Sequence, residues 1–193
     1  MTAWNPVYRV KVNGSTVTSA TLSGLTITSG RQDIYSQPNA GYCNLTLIET
    51  GEAPVPFEIN DAVTIEVQNS SATYVNLFGG FITDLGISVL TSGSTATSQQ
   101  IKIVAVGASE TWNGYDPTIQ WQNAENSGLG EIDTPGDYEL HSENNLNDTV
   151  YNLASRFATS GLGYLYEDSQ GRIGYADSTH RSQYLSTYGY VDL

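Results

Sequence analysis

The sequence has little positive charge and almost no cysteine. Only seven of its 193 residues are Lys or Arg, against twenty Asp and Glu, so the formal net charge is −13. A protein that binds duplex nucleic acid needs clustered Lys and Arg to neutralise phosphates, and this composition argues against that class. The single cysteine, Cys43, excludes an internal disulfide and a zinc site built from several cysteines.

Long apolar stretches are also missing. Because no uninterrupted run of about 18 apolar residues occurs, we expect no membrane-spanning helix. The segment Met1–Pro6 lacks the basic and apolar regions of a secretory signal peptide, so none is expected. The 39% hydrophobic content, with 13 Tyr, 3 Trp and 4 Phe, is still enough to bury a core. We therefore expect a soluble, acidic, globular protein.

What the sequence does contain is Ser and Thr, which make up 41 residues, arranged in short alternating runs. In Ala62–Val67, for example, Val63, Ile65 and Val67 share one face of an extended chain. Asn13-Gly14 is a strong hairpin signal, and Thr91–Ser98 has a loop composition. Six or so strands at this spacing predict an antiparallel barrel or sandwich. The predicted strands are Tyr8–Val12, Thr16–Thr28, Asn44–Ile48, Ala62–Val67, Val75–Leu85 and Ser98–Val106.

The character of the chain changes after Gly107. Between Val104 and Ser155 there are nine acidic residues and no Lys or Arg, together with Trp112 and Trp121. We interpret residues 108–145 as a long, mostly irregular acidic connection; a strand pair that the pattern does not reveal is the alternative.

One helix and one hairpin are predicted after this connection. The apolar residues of the helix recur on one face, Asn147 or Asp148 can cap its start, and Gly161 can end it. The runs Gly163–Tyr166 and Arg172–Ala176 predict a β-hairpin, which gives a small α+β unit over residues 146–193. The helical stripe is formed by Leu146, Val150, Leu153, Ala154 and Phe157.

The sequence contains few of the residue patterns that are typical of catalytic sites. His141 lies between Glu139 and Glu143, but an exposed acidic loop explains this pattern better than a carboxylate–histidine site. The acidic residues around Asp133 lack the spacing of an EF-hand loop, and Cys43 is interpreted as a small core or strand residue. We therefore expect no enzyme activity, no metal and no cofactor.

The aromatic side chains are candidates for contacts with other molecules, because Tyr and Trp are enriched at interfaces. Tyr164, Tyr166 and Tyr175 are better explained as cross-strand neighbours in the hairpin. The candidate interface residues are Trp112, Trp121, Tyr184, Tyr188 and Tyr190.

Four segments resemble a known family. Ile27–Leu47 contains an I-T-x-G-R-x-x-I-x-x-Q-P-x-x-G-Y run followed by an alternating strand, which resembles the N-terminal region of minor tail proteins of long-tailed bacteriophages. Weaker similarities follow at Phe57–Ile65, at Leu77–Asp84 and at Gly171–Asp177 with His180-Arg181. The signature residues, which we expect to be structural, are Gly30, Arg31, Gln37, Pro38, Gly41, Tyr42, Phe78, Gly80, Asp84, Gly171, Arg172 and Tyr175.

The resemblance implies a fold and a function. It implies a mainly β chain with a tail-tube-like antiparallel β-barrel over residues 1–107, followed after the 108–145 connection by the small α+β unit of residues 146–193. It implies the baseplate hub at the tail tip of a virion, a ring that extends the tail tube. The partners implied are copies of the same chain, as a trimer or hexamer, the distal tail protein, the tape measure protein, and tail fibre or tip proteins.

The chain departs from this family in one respect. Hub proteins of this kind carry two tube-like barrels per chain, and this chain has room for one barrel and part of the next domain. The full protein is therefore expected either to continue past Leu193 or to assemble with a different stoichiometry. The acidic composition then has a physical interpretation, because an acidic tube repels the DNA that passes through it without specific binding. A negative surface that merely maintains solubility is the alternative.

Other functions remain open at this point. A distal tail protein or a tail tube protein is the alternative within the structural class. A tail-associated peptidoglycan hydrolase would need a domain for which the chain has no room. A β module that binds host glycans through Trp112, Trp121 and the tyrosines is the third alternative.

Overall fold

The structure is a computed structural model that describes most, but not all, of the residues. No helix in this part of the chain is both long enough and apolar enough to cross a membrane. The described residues are 6–31, 33, 36–51, 57–92, 97–113, 128–133, 148–180 and 182.

The first of two compact units contains Met1–Ser29, Ala40–Ala108 and Ser169–Gly171. Its antiparallel sheet has the strand order β2-β1-β5-β6-β7-β4-β3, which confirms the predicted mainly β class. No pairing between the described strands closes this sheet into a barrel, since β2 and β3 end the order. The strands are β1 Tyr8–Val12, β2 Ser15–Thr16, β3 Ala20–Gly30, β4 Asn39–Thr50, β5 Ala62–Gln68, β6 Tyr74–Ser92 and β7 Thr97–Val106.

The core of this unit lies on one face of the sheet. Leu45 pairs with Ile103 and Leu47 with Ile101 across β4 and β7, and all four side chains are almost fully buried. Burying one such side chain stabilises the fold by about 1.5–3 kcal/mol, so the alternating pattern of each strand determines which face turns inward. Val63 and Ile65 of β5 join this core, as their alternation predicts.

The hairpin signal at Asn13-Gly14 is confirmed. Both residues adopt positive φ angles, 46° and 79°, which a two-residue turn of this kind requires and which Asn and Gly tolerate best. The turn leads from β1 into β2, whose two residues pair with Lys11 and Val12. The remainder of β1 has no strand on that side among the described residues.

Glu66 is the buried charge on the opposite face of the sheet. It lies directly across from Arg9 and accepts a hydrogen bond from that side chain. The Lys11 ammonium donates a second at 2.8 Å, and the Arg9 guanidinium covers the Tyr74 ring, 3.9 Å from its centroid. Burial opposes ionisation of this carboxyl, but the two cations outweigh it and hold the pKa of Glu66 below its usual value.

We expect Glu66 to make the stability of the first unit pH-dependent. A lowered pKa in the folded state contributes stability above the unfolded-state pKa of about 4.3, and this is lost as the pH falls through the folded value. A Glu66→Gln variant should be about 1 kcal/mol less stable than the parent at pH 7, because both cations are partly exposed. Denaturant titrations should show this difference shrinking as the pH falls through the lowered folded-state pKa of Glu66. A Glu58→Gln variant, at an exposed position, is the control, and a difference that persists at low pH would contradict the assignment.

The second unit contains Gly30–Asn39, Ser109–Asp168 and Arg172–Leu193. A three-stranded sheet has the order β8-β10-β9, with β9 antiparallel and β8 parallel to β10. The predicted hairpin is therefore confirmed, whereas β8 lies inside the connection interpreted as mostly irregular. The elements are a 3₁₀ helix Ala108–Asn113, whose first residue closes the first unit, β8 Leu129–Ile132, α1 Val150–Ser160, β9 Tyr164–Glu167 and β10 Ile173–Ala176.

The N-cap of helix α1 lies one residue after Asp148 and two after Asn147, the two predicted caps. The Thr149 hydroxyl caps it by accepting a hydrogen bond from the Asn152 N–H at 3.1 Å. Asp148 instead accepts from the Thr149 N–H and the Asn152 side chain, each at 2.8 Å, while Asn147 lies outside the described residues. Gly161 ends the helix as predicted and donates to the Phe157 carbonyl.

The predicted ranges 1–107, 108–145 and 146–193 follow the chain consecutively and remain a prediction. The two compact units interleave along the sequence, because Gly30–Asn39 belongs to the second and Ser169–Gly171 to the first.

Candidate assembly surfaces

Gln37 fixes the signature segment Gly30–Asn39 within the second unit. Its side-chain carbonyl accepts a hydrogen bond from the Leu165 N–H at 2.9 Å. Its amide nitrogen donates to the Thr159 hydroxyl at 3.0 Å and to the Gly163 carbonyl at 3.4 Å. One side chain thereby joins this segment to the end of α1 and to β9.

Two neighbours of Gln37 make further contacts in the same unit. The Arg31 guanidinium lies 5.0 Å from the centroid of the Tyr164 ring, a cation–π contact. The Pro38 carbonyl accepts a hydrogen bond from the Tyr151 hydroxyl. Burial raises the pKa of Tyr151, which keeps this hydroxyl protonated as a donor. Gly30 begins the segment with a φ of 103°.

The signature residues of the first unit support the sheet. Phe78 is buried, and the Gly41 carbonyl accepts from the Gly107 N–H at 2.7 Å. The Asp84 carboxylate accepts from the N–H of Leu85 at 2.9 Å, beside a bulge in β6. Gly80 is packed against the backbone of β7. Tyr42 differs, because 41% of it is exposed.

The signature residues near the C-terminus belong to the β9–β10 hairpin. The Arg172 side chain donates to the Asp168 carboxylate at 2.7 Å, and its N–H donates to the same group at 2.9 Å. Gly171 has a φ of 77°, which a residue with a Cβ adopts only under strain. Tyr175 pairs with Leu165 across the two strands.

The candidate interface residues have different positions in the structure. Trp112 is buried, with 5% of its surface exposed, so its ring is not part of an exposed contact surface. The other four, Trp121, Tyr184, Tyr188 and Tyr190, lie outside the described residues, and their role as contacts stays a prediction.

Cys43 lies in the core on β4, as expected, with 1% of its surface exposed. Burial raises the pKa of its thiol to about 12. The thiolate, which is the reactive form, is therefore scarce at neutral pH.

We accordingly expect Cys43 to resist alkylation in the folded protein. Iodoacetamide at pH 8 should modify the thiol at least ~100-fold more slowly in buffer than in denaturant, because the reagent needs both access and a thiolate. Mass spectrometry of timed samples measures both rates. A Ser23→Cys/Cys43→Ala variant, whose thiol stands at an exposed position, controls for reagent quality. Equal rates in buffer and denaturant for the parent would contradict the burial.

The sequence pattern did not indicate that Asp133 and His180 come together. The His180 Nδ1 atom lies 2.8 Å from the Asp133 Oδ2 atom, which also accepts from the Asp177 N–H at 3.0 Å. Asp177 is buried, and its Oδ2 atom has no hydrogen-bond partner among the described residues. Burial first, and then nearby carboxylates, raise the pKa of Tyr166 beside this group. Within the described ranges, no group of three His, Cys, Asp or Glu residues is arranged to hold a metal ion; His141 lies outside them.

Two surfaces of the first unit are exposed and carry no charged side chain among the described residues. On β6, the side chains of Ile87, Val89 and Leu90 are each at least half exposed. A groove of about 610 Å³ lies along β3, between Ala20–Leu25 and the start of β1 at Pro6 and Tyr8. Such surfaces are typical of contacts between proteins.

Comparisons with known proteins bear on what this arrangement is for. No protein-family model matches the chain, and no curated protein matches it in sequence. Among solved structures, the chain is similar to the 43 kDa tail protein of prophage MuSo2 from Shewanella oneidensis, with a TM-score of 0.62 and 10% sequence identity. The two proteins share a fold. The similarity covers 91% of this chain and 56% of that protein, so this chain spans little more than half the length of that relative.

Proposed function

We propose that this chain is a structural protein of a phage tail, acting by assembly and not as an enzyme. The observation that carries the proposal is the fold shared with a prophage tail protein over 91% of the chain. The phage tail signature at Ile27–Leu47 is an independent support, since it comes from sequence and the shared fold has only 10% identity.

Within the tail, we place the chain at the tip, in a baseplate hub ring that continues the tail tube. Its neighbours there are further copies of the chain, the distal tail protein, the tape measure protein, and tip or fibre proteins. Uncharged sheet edges support this, because unpaired strand edges are natural docking elements.

The charge distribution supports passage of DNA without binding. The net charge is −13, and several of the seven basic residues are engaged with carboxylates. Arg9 and Lys11 contact Glu66, while Arg172 contacts Asp168 at 2.7 Å. Such cations are not free to bind phosphates, so a channel lined by this chain would repel duplex DNA.

Immunogold electron microscopy of phage particles that carry this chain tests the proposal. Antibody against the purified chain should label the end of the tail that lies away from the capsid. Label along the whole tail would indicate a tail tube protein, and label at the capsid, or none on intact or disrupted particles, would refute a tail role. Particles lacking the gene are the control for antibody specificity.

A further inference from the structure

The C-terminal half of β6 has one unpaired edge among the described strands. β5 pairs with β6 from Tyr74 to Phe81, and the Ile82 backbone bonds with Asn60 and Asp61. Beyond that point β6 pairs only with β7. We name Leu85–Leu90 the β6 extension.

In the β6 extension, the face of the sheet that covers the core elsewhere is exposed to solvent. Leu85 pairs with Ile103 and Ile87 with Ile101, so these side chains share the face of the buried core. Yet Ile87 is 50% exposed and Val89 is 65% exposed. The extension contains no charged residue and no proline, the usual protections of an exposed strand edge. An edge of this kind is suited to another protein surface.

The groove along β3 is the complementary surface on the same unit. It is bounded by β3, which ends the strand order, and by the start of β1. Leu22 and Leu25 are half buried beside the core, and Thr21 and Ser23 add polar groups to the lining of the groove. No described residue that lines it carries a charge at neutral pH, and its volume of about 610 Å³ suits a short extended segment.

We propose that the β6 extension of one copy docks into the β3 groove of the next copy. Two chains of net charge −13 repel each other, and this repulsion is weakest where the facing surfaces carry no charge, as in the β6 extension and the described lining of the β3 groove. A basic partner would find no carboxylate among the described residues that line the groove.

The two surfaces differ, so the contact is head-to-tail, and a head-to-tail contact generates a ring or a filament instead of a closed pair. This inference rests on the proposed function, for which it names the surfaces that copies use on one another.

Disulfide trapping between two variants that each gain one exposed cysteine tests the contact. Val89→Cys and Ser23→Cys place thiols at exposed positions on the extension and beside the groove, while Cys43 stays buried. Mixed under mild oxidation, they should form a heterodimer at least ~10-fold faster than Val89→Cys mixed with Ser71→Cys, an exposed control in the β5–β6 turn. Equal rates for both mixtures would overturn the proposal.

Sedimentation of charge variants gives an independent readout. Val89→Asp should weaken self-association about 30-fold, because it places an unpaired carboxylate in the contact. Ser71→Asp should leave association unchanged, and unaltered circular dichroism of both variants shows that folding is retained. Ser23→Lys in the neighbouring copy should restore association with Val89→Asp.

The failure of this inference is distinguishable from the failure of the proposed function. Tail-tip labelling with no trapped heterodimer would overturn the contact and leave the function intact. A trapped heterodimer with no label on phage particles would support the contact and refute the tail role. If Val89→Asp assembles as well as the parent, the copies use other surfaces and the inference is wrong.

Discussion

A Gly80→Ala variant should unfold roughly 6–12 °C below the parent protein, the largest effect we expect from removing or adding one carbon. A Cβ at this position would lie 2.2 Å from the Val106 carbonyl oxygen and 2.8 Å from the Phe78 ring. The backbone of a central strand cannot move away without breaking its hydrogen bonds to the neighbouring strands, so we expect the clash to lower the free energy of unfolding by about 3 kcal/mol. In a protein of this size, that loss corresponds to a fall of roughly 6–12 °C in the melting temperature.

The matched control is Gly86→Ala on the same strand. The nearest atom to its added Cβ is 3.9 Å away, an ordinary van der Waals contact, so we expect a change of about 0.5 kcal/mol or less. Thermal melts followed by circular dichroism compare the two variants directly. Equal melting temperatures for Gly80→Ala and Gly86→Ala would show that β6 and β7 are not packed as described.

Gln37→Ala should destabilise the second unit by about 2 kcal/mol. The change removes the acceptor of the Leu165 N–H and leaves that buried donor without its partner. It also removes the two hydrogen bonds donated by the Gln37 amide. Hydrogen exchange should show faster exchange of the amides in α1 and β9, with those of β4 and β7 nearly unchanged.

Two further variants distinguish the loss of the Gln37 hydrogen bonds from a general effect of changing any signature residue. Gln37→Glu keeps an acceptor for Leu165 but loses the amide donors, so its effect should fall between those of the parent and Gln37→Ala. Tyr42→Ala alters an exposed signature residue and should change the stability by less than about 0.5 kcal/mol. An effect of Tyr42→Ala as large as that of Gln37→Ala would contradict the assigned contacts.

The strands of the first unit could be predicted because one face of each is buried. In Asn39–Thr50 the buried positions alternate, and in Ala62–Gln68 the apolar residues alternate although Glu66 is buried as well, so the sequence period of two was visible. The pattern could not predict the length of β6. Apolar residues past Leu85 are compatible both with a strand covered by the rest of the protein and with one exposed to solvent. Whether the sheet closes depends on which strand edges meet, and side-chain alternation carries no information on that.

The second unit was harder to predict, because its contacts are distant in sequence. The strand β8, Leu129–Ile132, is short, and its partner β10 lies more than forty residues later. The helix was visible from its apolar stripe, but its cap at Thr149 depends on one hydrogen bond among several polar candidates. The association of Asp133 with His180 also depends on this distant pairing.

The assembly surfaces were also hard to predict from the sequence, because burial depends on contacts that the sequence pattern does not show. Trp112 was a reasonable interface candidate as an aromatic residue in a polar segment, yet it is buried. Val89 and Leu22 look like ordinary strand residues in the sequence, and only the strand order shows that they stand at an exposed extension and beside an open groove.

Cryo-electron microscopy of the purified chain at high concentration tests the central claim most directly. The account predicts rings with three- or six-fold symmetry around a channel wide enough for duplex DNA and lined by acidic side chains. Rings with a basic channel would contradict the proposed passage of DNA. Particles that remain single copies under all conditions, including mixtures with the distal tail protein, would contradict assembly itself.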